Sequence, residues 1–393
     1  MYNQSFSPKE LYACTTQAER RNSGLKKEDF IEAIGNELGT TLIDGTYRFQ
    51  IKHEKELFLN GRNKRDFDYL CQNLILRKLH NNIKAIYKVQ QADRNTIVGQ
   101  MKTLLSENVD MWVVRLDVKH FYESIDREKQ LNKLLEDARL SYPSLQLLVT
   151  MFKEPTMSAE NGIPRGLGVS AAMSELYMKY FDIAIKRIEG VYYYARFVDD
   201  IIVFCSSEHS RDMVWKTAQR ELSNLSLNLN SEKSYSWSPC VNGVKLIYLG
   251  YVFNKVGTKV EVSIADKKIK VIKTRLTKSF VRFAKDHRFD LLKLRIKFLT
   301  GNFTLYQADT LLPIKVGIFF NYKQATNIEC LNELDRYYQR LLHCQTGKLG
   351  GCIGLTKAEL KELEKYSFLF GYKNHVNHHF TNDQMRLITN CWL

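Results

Sequence analysis

The 393-residue sequence contains no long hydrophobic run, no closely paired cysteines and no apolar N-terminal segment. No apolar run approaches the roughly 18 residues of a membrane-spanning helix, so we expect no membrane partner. Residues 1–21 are polar and mixed, which is not the pattern of a secretory signal. The eight cysteines include no CxxC pair. Scattered cysteines in apolar surroundings are typical of reduced thiols, and we therefore expect a cytoplasmic protein.

Acidic residues are the scarcer charged class. The 43 Asp and Glu residues are outnumbered by 58 Lys and Arg, which gives a net charge of +15 at pH 7. An excess of this size favours a polyanionic partner, nucleic acid before membrane, although a merely basic surface is compatible with the same count. Charge therefore suggests a class of partner without identifying a reaction.

Three aspartates stand out from the rest of the chain. Asp199 and Asp200 lie between two apolar, β-prone runs, a pattern that predicts a hairpin with an acidic turn. Asp117 ends a buried-strand run that begins at Trp112. An isolated Asp-Asp pair is commonly a solvated turn, but adjacent like charges are otherwise unfavourable unless a cation binds them. We therefore expect folding to gather the three carboxylates around Mg²⁺, with Mn²⁺ as the alternative.

The segments around these aspartates predict the fold class. A turn-rich loop, residues 162–170, precedes a helix with an apolar face that we expect to begin at Ser170 and end at Gly190. The centre of the chain thus alternates strand, helix, loop, helix, hairpin, helix and strand. This order is typical of an α+β layer with helices on one face of an antiparallel sheet. Aspartates holding two metal ions on such a sheet suit in-line phosphoryl transfer.

Five segments in this order resemble the palm motifs of reverse transcriptases, of the bacterial type shared by retrons, group II introns and abortive-infection systems. They are Asp117–Tyr122, Gly162–Ser170, Phe197–Asp200, Leu229–Lys233 and Tyr248–Gly250. The resemblance covers roughly residues 45–300. It implies a right-hand polymerase with fingers, palm and thumb. The implied divisions are an N-terminal helical segment at 1–45, fingers at 46–110, palm at 111–255 with part of the fingers inserted near 140–165, thumb at 256–320 and a C-terminal helical extension at 321–393.

The resemblance also implies the metal ligands. Asp117, Asp199 and Asp200 would bind the metal ions with the carbonyl of Val118. Lys233 would approach the triphosphate and act as a general acid on pyrophosphate.

The remaining implied residues would contact substrate. Tyr122 would be the sugar gate, because a bulky ring beside C2′ leaves no room for a 2′-hydroxyl and so favours deoxynucleotides. Lys64 and Arg65 would contact the triphosphate from the fingers. Arg165 and Gly166 would border the nucleotide or template. Arg165 stands where many relatives carry Gln, so it could contact a template phosphate, contact the incoming base or close the loop on its own carbonyls.

The implied activity is RNA-directed DNA synthesis from deoxynucleoside triphosphates on an RNA template, with a DNA product. Residues 162–178 most resemble the defence-associated, abortive-infection branch of the family. Gln4–Ser7 and Asp93–Asn95 are similar to the first polymerase of type 3 defence-associated reverse transcriptase systems. This likeness implies antiviral defence, a dedicated non-coding RNA and a companion reverse transcriptase or a homo-oligomer. Three alternatives stay open: template-independent or protein-primed synthesis, a catalytically silent RNA-binding scaffold, and an RNA-dependent RNA polymerase.

Overall fold

The computed structural model describes residues 2–49, 64–107, 109–154, 162–238, 245–256, 259–306, 313–346, 350 and 353–392. None of the helices in these ranges is both long enough and apolar enough to cross a membrane. The helices are α1 Pro8–Ala13, α2 Gln17–Ser23, α3 Lys27–Ile43, α4 Lys64–Tyr87, α5 Arg94–Ser106, α6 Phe121–Ser124, α7 Arg127–Asp137, α8 Tyr142–Lys153, α9 Gly168–Tyr177, α10 Lys179–Lys186, α11 Glu208–Asn224, α12 Asp266–Asp286, α13 Phe289–Thr300, α14 Glu329–Leu342, α15 Lys357–Leu363, α16 Phe368–Lys373 and α17 Asn382–Asn390. The strands are β1 Trp112–Asp117, β2 Val191–Phe197, β3 Asp200–Cys205, β4 Tyr235–Trp237, β5 Lys245–Tyr248, β6 Tyr251–Val256, β7 Lys259–Ile264, β8 Asn302–Tyr306 and β9 Pro313–Gly317.

The chain divides into two compact units. The first comprises Met1–Asp93 and Asp110–Ser238, and the second comprises Arg94–Val109 and Pro239–Leu393. These units are defined by packing, and their limits do not coincide with the boundaries expected for fingers, palm and thumb. The assignment of those three parts to residue ranges therefore stays a prediction.

The sheet of the first unit has the strand order β2-β3-β1-β4, and each neighbouring pair is antiparallel. Val114 and Leu116 of β1 and Ile201 and Val203 of β3 are buried in one hydrophobic core with residues of α4, α8 and α9. Side chains alternate between the faces of a strand, so Arg115 and Asp117 lie on the face opposite to this core. Burial of one face thus sets the register in which the acidic residues are presented.

The hairpin expected around residues 191–205 is confirmed as β2 and β3. The helix expected from Ser170 to Gly190 is instead divided into α9 and α10. The two helices share Met178 as a boundary residue, with φ −83° and ψ −4°. Nearly all of α9 is buried, whereas α10 buries only Phe181 and Ile185. The sequence pattern missed the division because both helices keep an apolar face in nearly the same phase.

The second unit contains a three-stranded antiparallel sheet, β5-β6-β7, and the two-stranded sheet β8-β9. Helix α12 buries a stripe of apolar residues that includes Leu276 and Phe280. Arg94, at the start of α5, donates from Nε to the carbonyl oxygen of Leu249 at 2.9 Å. Helix α5 is therefore tied to the turn of the fifth motif, which the sequence placed in the palm.

Candidate active site

Asp117 and Asp200 occupy opposite positions on neighbouring antiparallel strands. The β1–β3 register pairs Trp112 with Cys205 and continues to the pair Asp117 and Asp200. Residues opposed in this way have their side chains on the same face of the sheet. The backbone N–H of Val118 donates to the carbonyl oxygen of Asp199 at 3.2 Å, which extends the pairing into the turn. The register therefore brings together the three aspartates singled out from the sequence.

The turn that carries the acidic pair has a strained backbone, which contacts of Arg196 hold in place. Val198 has φ 61°, a left-handed conformation that is rare for a β-branched residue. Arg196 donates from Nη1 to the carbonyl oxygen of Val198 at 3.1 Å. Its side chain is 3% exposed and forms ion pairs with Glu175 at 2.7 Å and Asp182 at 2.8 Å. Such strain persists only where surrounding contacts hold it, and the buried guanidinium provides such contacts.

In this buried network, burial and the neighbouring charges have opposite effects on the pKa values of Arg196 and Glu175. Burial acts to lower the pKa of Arg196, but the hydrogen bond and charge of Asp182 and the charge of Glu175 outweigh it, so the pKa is raised. Burial raises the pKa of Glu175, and Arg196 offsets part of that rise. Arg196 and Glu175 therefore stabilise each other's charged forms within the fold.

The acidic pair itself carries unfavourable charge. Burial raises the pKa of Asp199, and the neighbouring carboxylates of Asp200 and Asp117 raise it further. Burial also raises the pKa of Asp200, with Arg115 acting against the rise. Arg115 Nη2 lies 3.1 Å from Asp200 Oδ1, and Lys233 Nζ lies 3.2 Å from Asp117 Oδ1. Two protein cations thus partly offset the repulsion among the carboxylates.

The donor chemistry fits a divalent cation. In the described part of the chain, no three His, Cys, Asp or Glu side chains converge as a ready-made metal centre. Two of the three aspartates instead direct a carboxylate oxygen to Arg115 or Lys233. The three carboxylates nevertheless lie at the ends of two neighbouring central strands, and burial and nearby carboxylates raise the pKa values of Asp199 and Asp200. Carboxylate oxygens are the type of donor that Mg²⁺ and Mn²⁺ prefer.

The fourth motif lies directly against the end of β1. The backbone N–H of Asn230 donates to the carbonyl oxygen of Asp117 at 2.8 Å, and Ser234 Oγ accepts from the N–H of Asp117 at 3.0 Å. Lys119 donates its backbone N–H to Asn228 at 2.8 Å. These bonds place the half-exposed side chain of Lys233 beside Asp117. The sequence predicted that Lys233 is near the reacting groups, but not its ion pair with an aspartate.

The loop of the second motif, residues 162–170, is hydrogen-bonded to Tyr122. The N–H of Ile163 donates to the carbonyl oxygen of Tyr122 at 2.8 Å. Gly162 is buried against Glu123 so closely that an added Cβ would lie 2.5 Å from the Glu123 carbonyl oxygen. Arg165 donates from Nε and Nη2 to the two carboxylate oxygens of Glu123 at 2.6 and 3.0 Å. The loop is therefore attached to the segment of the expected sugar gate through both backbone and side chains.

The other expected substrate residues are placed less fully. Gly166 has φ +89°, and a Cβ there would meet no atom within 4 Å. Val118 is buried at the end of β1, and its backbone pairs with Leu229. Lys64 and Arg65 are the first residues of α4, and their side chains lie outside what the structure describes.

Sequence reasoning missed Glu123, Arg115 and Arg196. Arg115 was accessible from the pattern, because it precedes Asp117 by two residues on a strand and must share its face. Glu123 and Arg196 carried no comparable signal. Their partners at Arg165 and Glu175 lie 42 and 21 residues away and meet them only through the fold.

A reverse transcriptase family model matches the part of the chain that contains the five motifs. The family model described as "Reverse transcriptase (RNA-dependent DNA polymerase)" matches residues 62–275, more than half of the chain. The sequence has no match among the curated proteins.

Solved structures that resemble the chain do so distantly. Apo telomerase from Candida tropicalis truncated from its C-terminal domain is 14% identical, with a TM-score of 0.39, covering 51% of this chain and 48% of that one. Telomerase from the same organism with a fragment of telomeric RNA is 16% identical, with a TM-score of 0.40 and coverages of 54% and 41%. The RNA-dependent RNA polymerase of bacteriophage phi12 is 14% identical, with a TM-score of 0.34 and coverages of 80% and 50%. The chain thus matches about half the length of these proteins or less, and the scores are too low to support an argument about activity.

Proposed function

Since the chain belongs to the reverse transcriptase family, we propose that it is an RNA-directed DNA polymerase that adds deoxynucleotides to a primer 3′-hydroxyl. Its fold is the mixed α/β polymerase fold with antiparallel sheets that the sequence predicts. The observation that carries the proposal is the opposition of Asp117 and Asp200, beside Asp199, at the ends of the two central strands of the sheet. This placement is what a nucleotidyl transfer site requires of carboxylates that are distant in sequence.

The residues proposed to hold the metal ions are Asp117, Asp199, Asp200 and the carbonyl of Val118. Two Mg²⁺ ions, when bound, would activate the primer hydroxyl and neutralise charge on the leaving pyrophosphate. The chain itself supplies the paired strands that carry the carboxylates, together with Arg196, which holds the turn of the acidic pair through Val198. Mn²⁺ suits the same oxygen donors.

The substrate contacts follow from the placement of the remaining residues. Lys233 lies beside Asp117, where it would hold a proton for the departing pyrophosphate. Tyr122 is half-buried, and its pKa is raised first by burial and also by the charges of Glu175 and Asp199. We propose that this ring excludes the 2′-hydroxyl of a ribonucleotide. Lys64, Arg65, Arg165 and Gly166 are proposed to border the triphosphate or the template.

The proposed partners are an RNA template, the DNA product and deoxynucleoside triphosphates. Helix α12 carries exposed Lys267, Lys268 and Lys270, which suit phosphate contacts of the thumb type and would make nucleic-acid binding sensitive to salt. The sequence likeness to the defence-associated branch further supports a role against phage, with a non-coding RNA and a companion reverse transcriptase or a second copy of the chain. That part of the proposal rests on the likeness alone.

Primer extension tests the activity. The purified chain is supplied with an RNA template, an annealed DNA primer, deoxynucleotides and Mg²⁺, beside the variants Asp199→Asn and Asp200→Asn. We expect a DNase-sensitive product that requires the template, is lost with EDTA and is absent from both variants. A product made equally well from ribonucleotides would favour an RNA polymerase. A product made without template, or covalently attached to the protein, would favour untemplated or protein-primed synthesis.

Phage plating tests the biological role. Cells that carry the chain with its neighbouring genes are challenged with a phage panel, beside cells that carry Asp199→Asn. Protection that requires the aspartate supports defence by synthesis. Protection that persists in a variant without polymerase activity supports the silent scaffold, and absence of protection against the panel removes support for defence.

A further inference from the structure

Arg165 and Glu123 form a two-bonded ion pair beside the proposed sugar gate. The guanidinium of Arg165 donates to both carboxylate oxygens of Glu123, a geometry that fixes orientation better than a single bond does. Glu123 follows Tyr122 directly in α6, and the guanidinium carbon lies 5.7 Å from the centre of the Tyr122 ring. Arg165 therefore contacts the ring of Tyr122 and also bonds to Glu123, the next residue in the sequence.

The ring of Tyr122 has a second fixed neighbour. Phe121 is buried in the core and packs edge-to-face against Tyr122 with ring centres 5.5 Å apart. The backbone of Tyr122 is held by Ile163, as described above. The buried side of the gate is thus held by packing and by the hydrogen bond between the Tyr122 side chain and Ser174, while another side contacts a pair whose side chains are 66% exposed for Arg165 and 42% exposed for Glu123.

The solvent exposure of the Glu123–Arg165 pair limits how much it can contribute to stability. Exposed ion pairs contribute little to folding stability because water screens them and ordering the side chains opposes them. A pair of this kind therefore adds little to the attachment of the loop, which the backbone bond and the close packing of Gly162 already secure. Its geometric effect is to hold a flat cation near the face of the Tyr122 ring.

We propose that the Glu123–Arg165 pair sets the position of the Tyr122 ring and thereby determines how strongly deoxynucleotides are preferred over ribonucleotides. This inference rests on the proposed function and names two positioning residues for it. Arg165 would then lie beside the nucleotide or template, as proposed above, while its guanidinium bonds to Glu123. A ring displaced by a fraction of the width of a hydroxyl group would exclude the 2′-hydroxyl less well.

The first test measures the ratio of kcat/KM for deoxynucleotides to that for ribonucleotides. Glu123→Gln and Arg165→Met should each lower this ratio about fivefold, the scale of one exposed, well-oriented pair. The double variant should lower it no further, and the exchanged pair Glu123→Arg with Arg165→Glu should restore most of it. Arg220→Met is the matched control, since Arg220 is 68% exposed and pairs with Glu221 on α11.

A different pattern would overturn the inference. If Arg165→Met raises KM equally for both nucleotide types while Glu123→Gln leaves the ratio unchanged, Arg165 binds the nucleotide directly. If the wild-type chain incorporates no nucleotide at all, the proposed function fails and the ratio does not exist.

A spectroscopic test remains in that case. With 3-fluorotyrosine at position 122, the ¹⁹F resonance should shift in Glu123→Gln and Arg165→Met and stay in place in Arg220→Met. An unmoved resonance in the first two variants would show that the pair does not position the ring.

Discussion

Asp117 and Asp200 are 83 positions apart in sequence and directly opposed across β1 and β3. Like charges in this arrangement weaken a sheet. The structure offsets them with Lys233 at Asp117 and Arg115 at Asp200. A cluster of like charges that is kept at the expense of stability is typical of a functional site.

Removing one charge from the acidic pair should lower activity without lowering stability. Asp199→Asn keeps the shape of the side chain but removes a metal ligand, and we expect nucleotide incorporation to fall by at least about 10³-fold. The raised pKa of Asp199 means that its charged form is disfavoured in the folded state. The variant should therefore unfold at the same or a higher temperature at neutral pH, and this gain should shrink as pH falls towards 3.8, the ordinary value for the group.

Differential scanning calorimetry and primer extension on the same preparations check this prediction. Asp212→Asn is the control, since Asp212 lies on the exposed side of α11 and bonds to Arg211. A lower melting temperature for Asp199→Asn at neutral pH would contradict the charge argument, even if activity were lost.

Loss of the guanidinium at Arg196 should destabilise the first unit strongly. Arg196→Met leaves Glu175 and Asp182 without their cation, and breaking a buried pair in this way costs about 3–5 kcal/mol. Arg196→Lys should recover only part of the stability, because an ammonium cannot reproduce the planar fork that bonds both carboxylates and Val198.

Urea denaturation measures these differences. Arg220→Met, which removes an exposed pair, should change stability by at most about 1 kcal/mol. Equal effects of the substitutions at positions 196 and 220 would show that the buried network does not hold the turn in place.

Two glycines of the second motif should respond differently to the same substitution. Both have positive φ, +105° at Gly162 and +89° at Gly166, so alanine is strained at either position by about 1–2 kcal/mol. Only at Gly162 would the new Cβ also meet the backbone of Glu123, at 2.5 Å. Gly162→Ala should therefore detach the loop from Tyr122, whereas Gly166→Ala should leave it attached.

Amide hydrogen exchange at Ile163 reports on the loop directly, because that N–H is bonded to the Tyr122 carbonyl. Protection should fall sharply in Gly162→Ala and change little in Gly166→Ala. Similar loss in both variants would mean that backbone strain, rather than the close approach to Glu123, governs the loop.

Shortening the proposed gate should admit ribonucleotides. Tyr122→Val removes the ring, and we expect the preference for deoxynucleotides to fall about 10- to 100-fold. Tyr122→Phe keeps the ring and should retain the preference. Competitive incorporation of matched deoxy- and ribonucleotides measures the preference in both variants. An unchanged preference in Tyr122→Val would show that Tyr122 is not the sugar gate.

Local pattern was sufficient for part of this protein. The β2–β3 hairpin and the strand that ends at Asp117 can be predicted from the sequence, because apolar runs and turn residues act between near neighbours. The start of α7 is likewise set locally, because Asp126 accepts from the N–H of Lys129 three residues later. The order of the five motifs was likewise a property of the sequence, and it was enough to indicate the family.

Tertiary structure decided everything that depends on distant partners. Only the strand register opposes Asp117 to Asp200, and only the fold brings Glu175 of α9 and Asp182 of α10 to Arg196 of β2. The pairing of Arg165 with Glu123 arises because a buried glycine lets one loop approach another backbone. Such contacts join segments tens of residues apart, and no local preference encodes which charge will meet which.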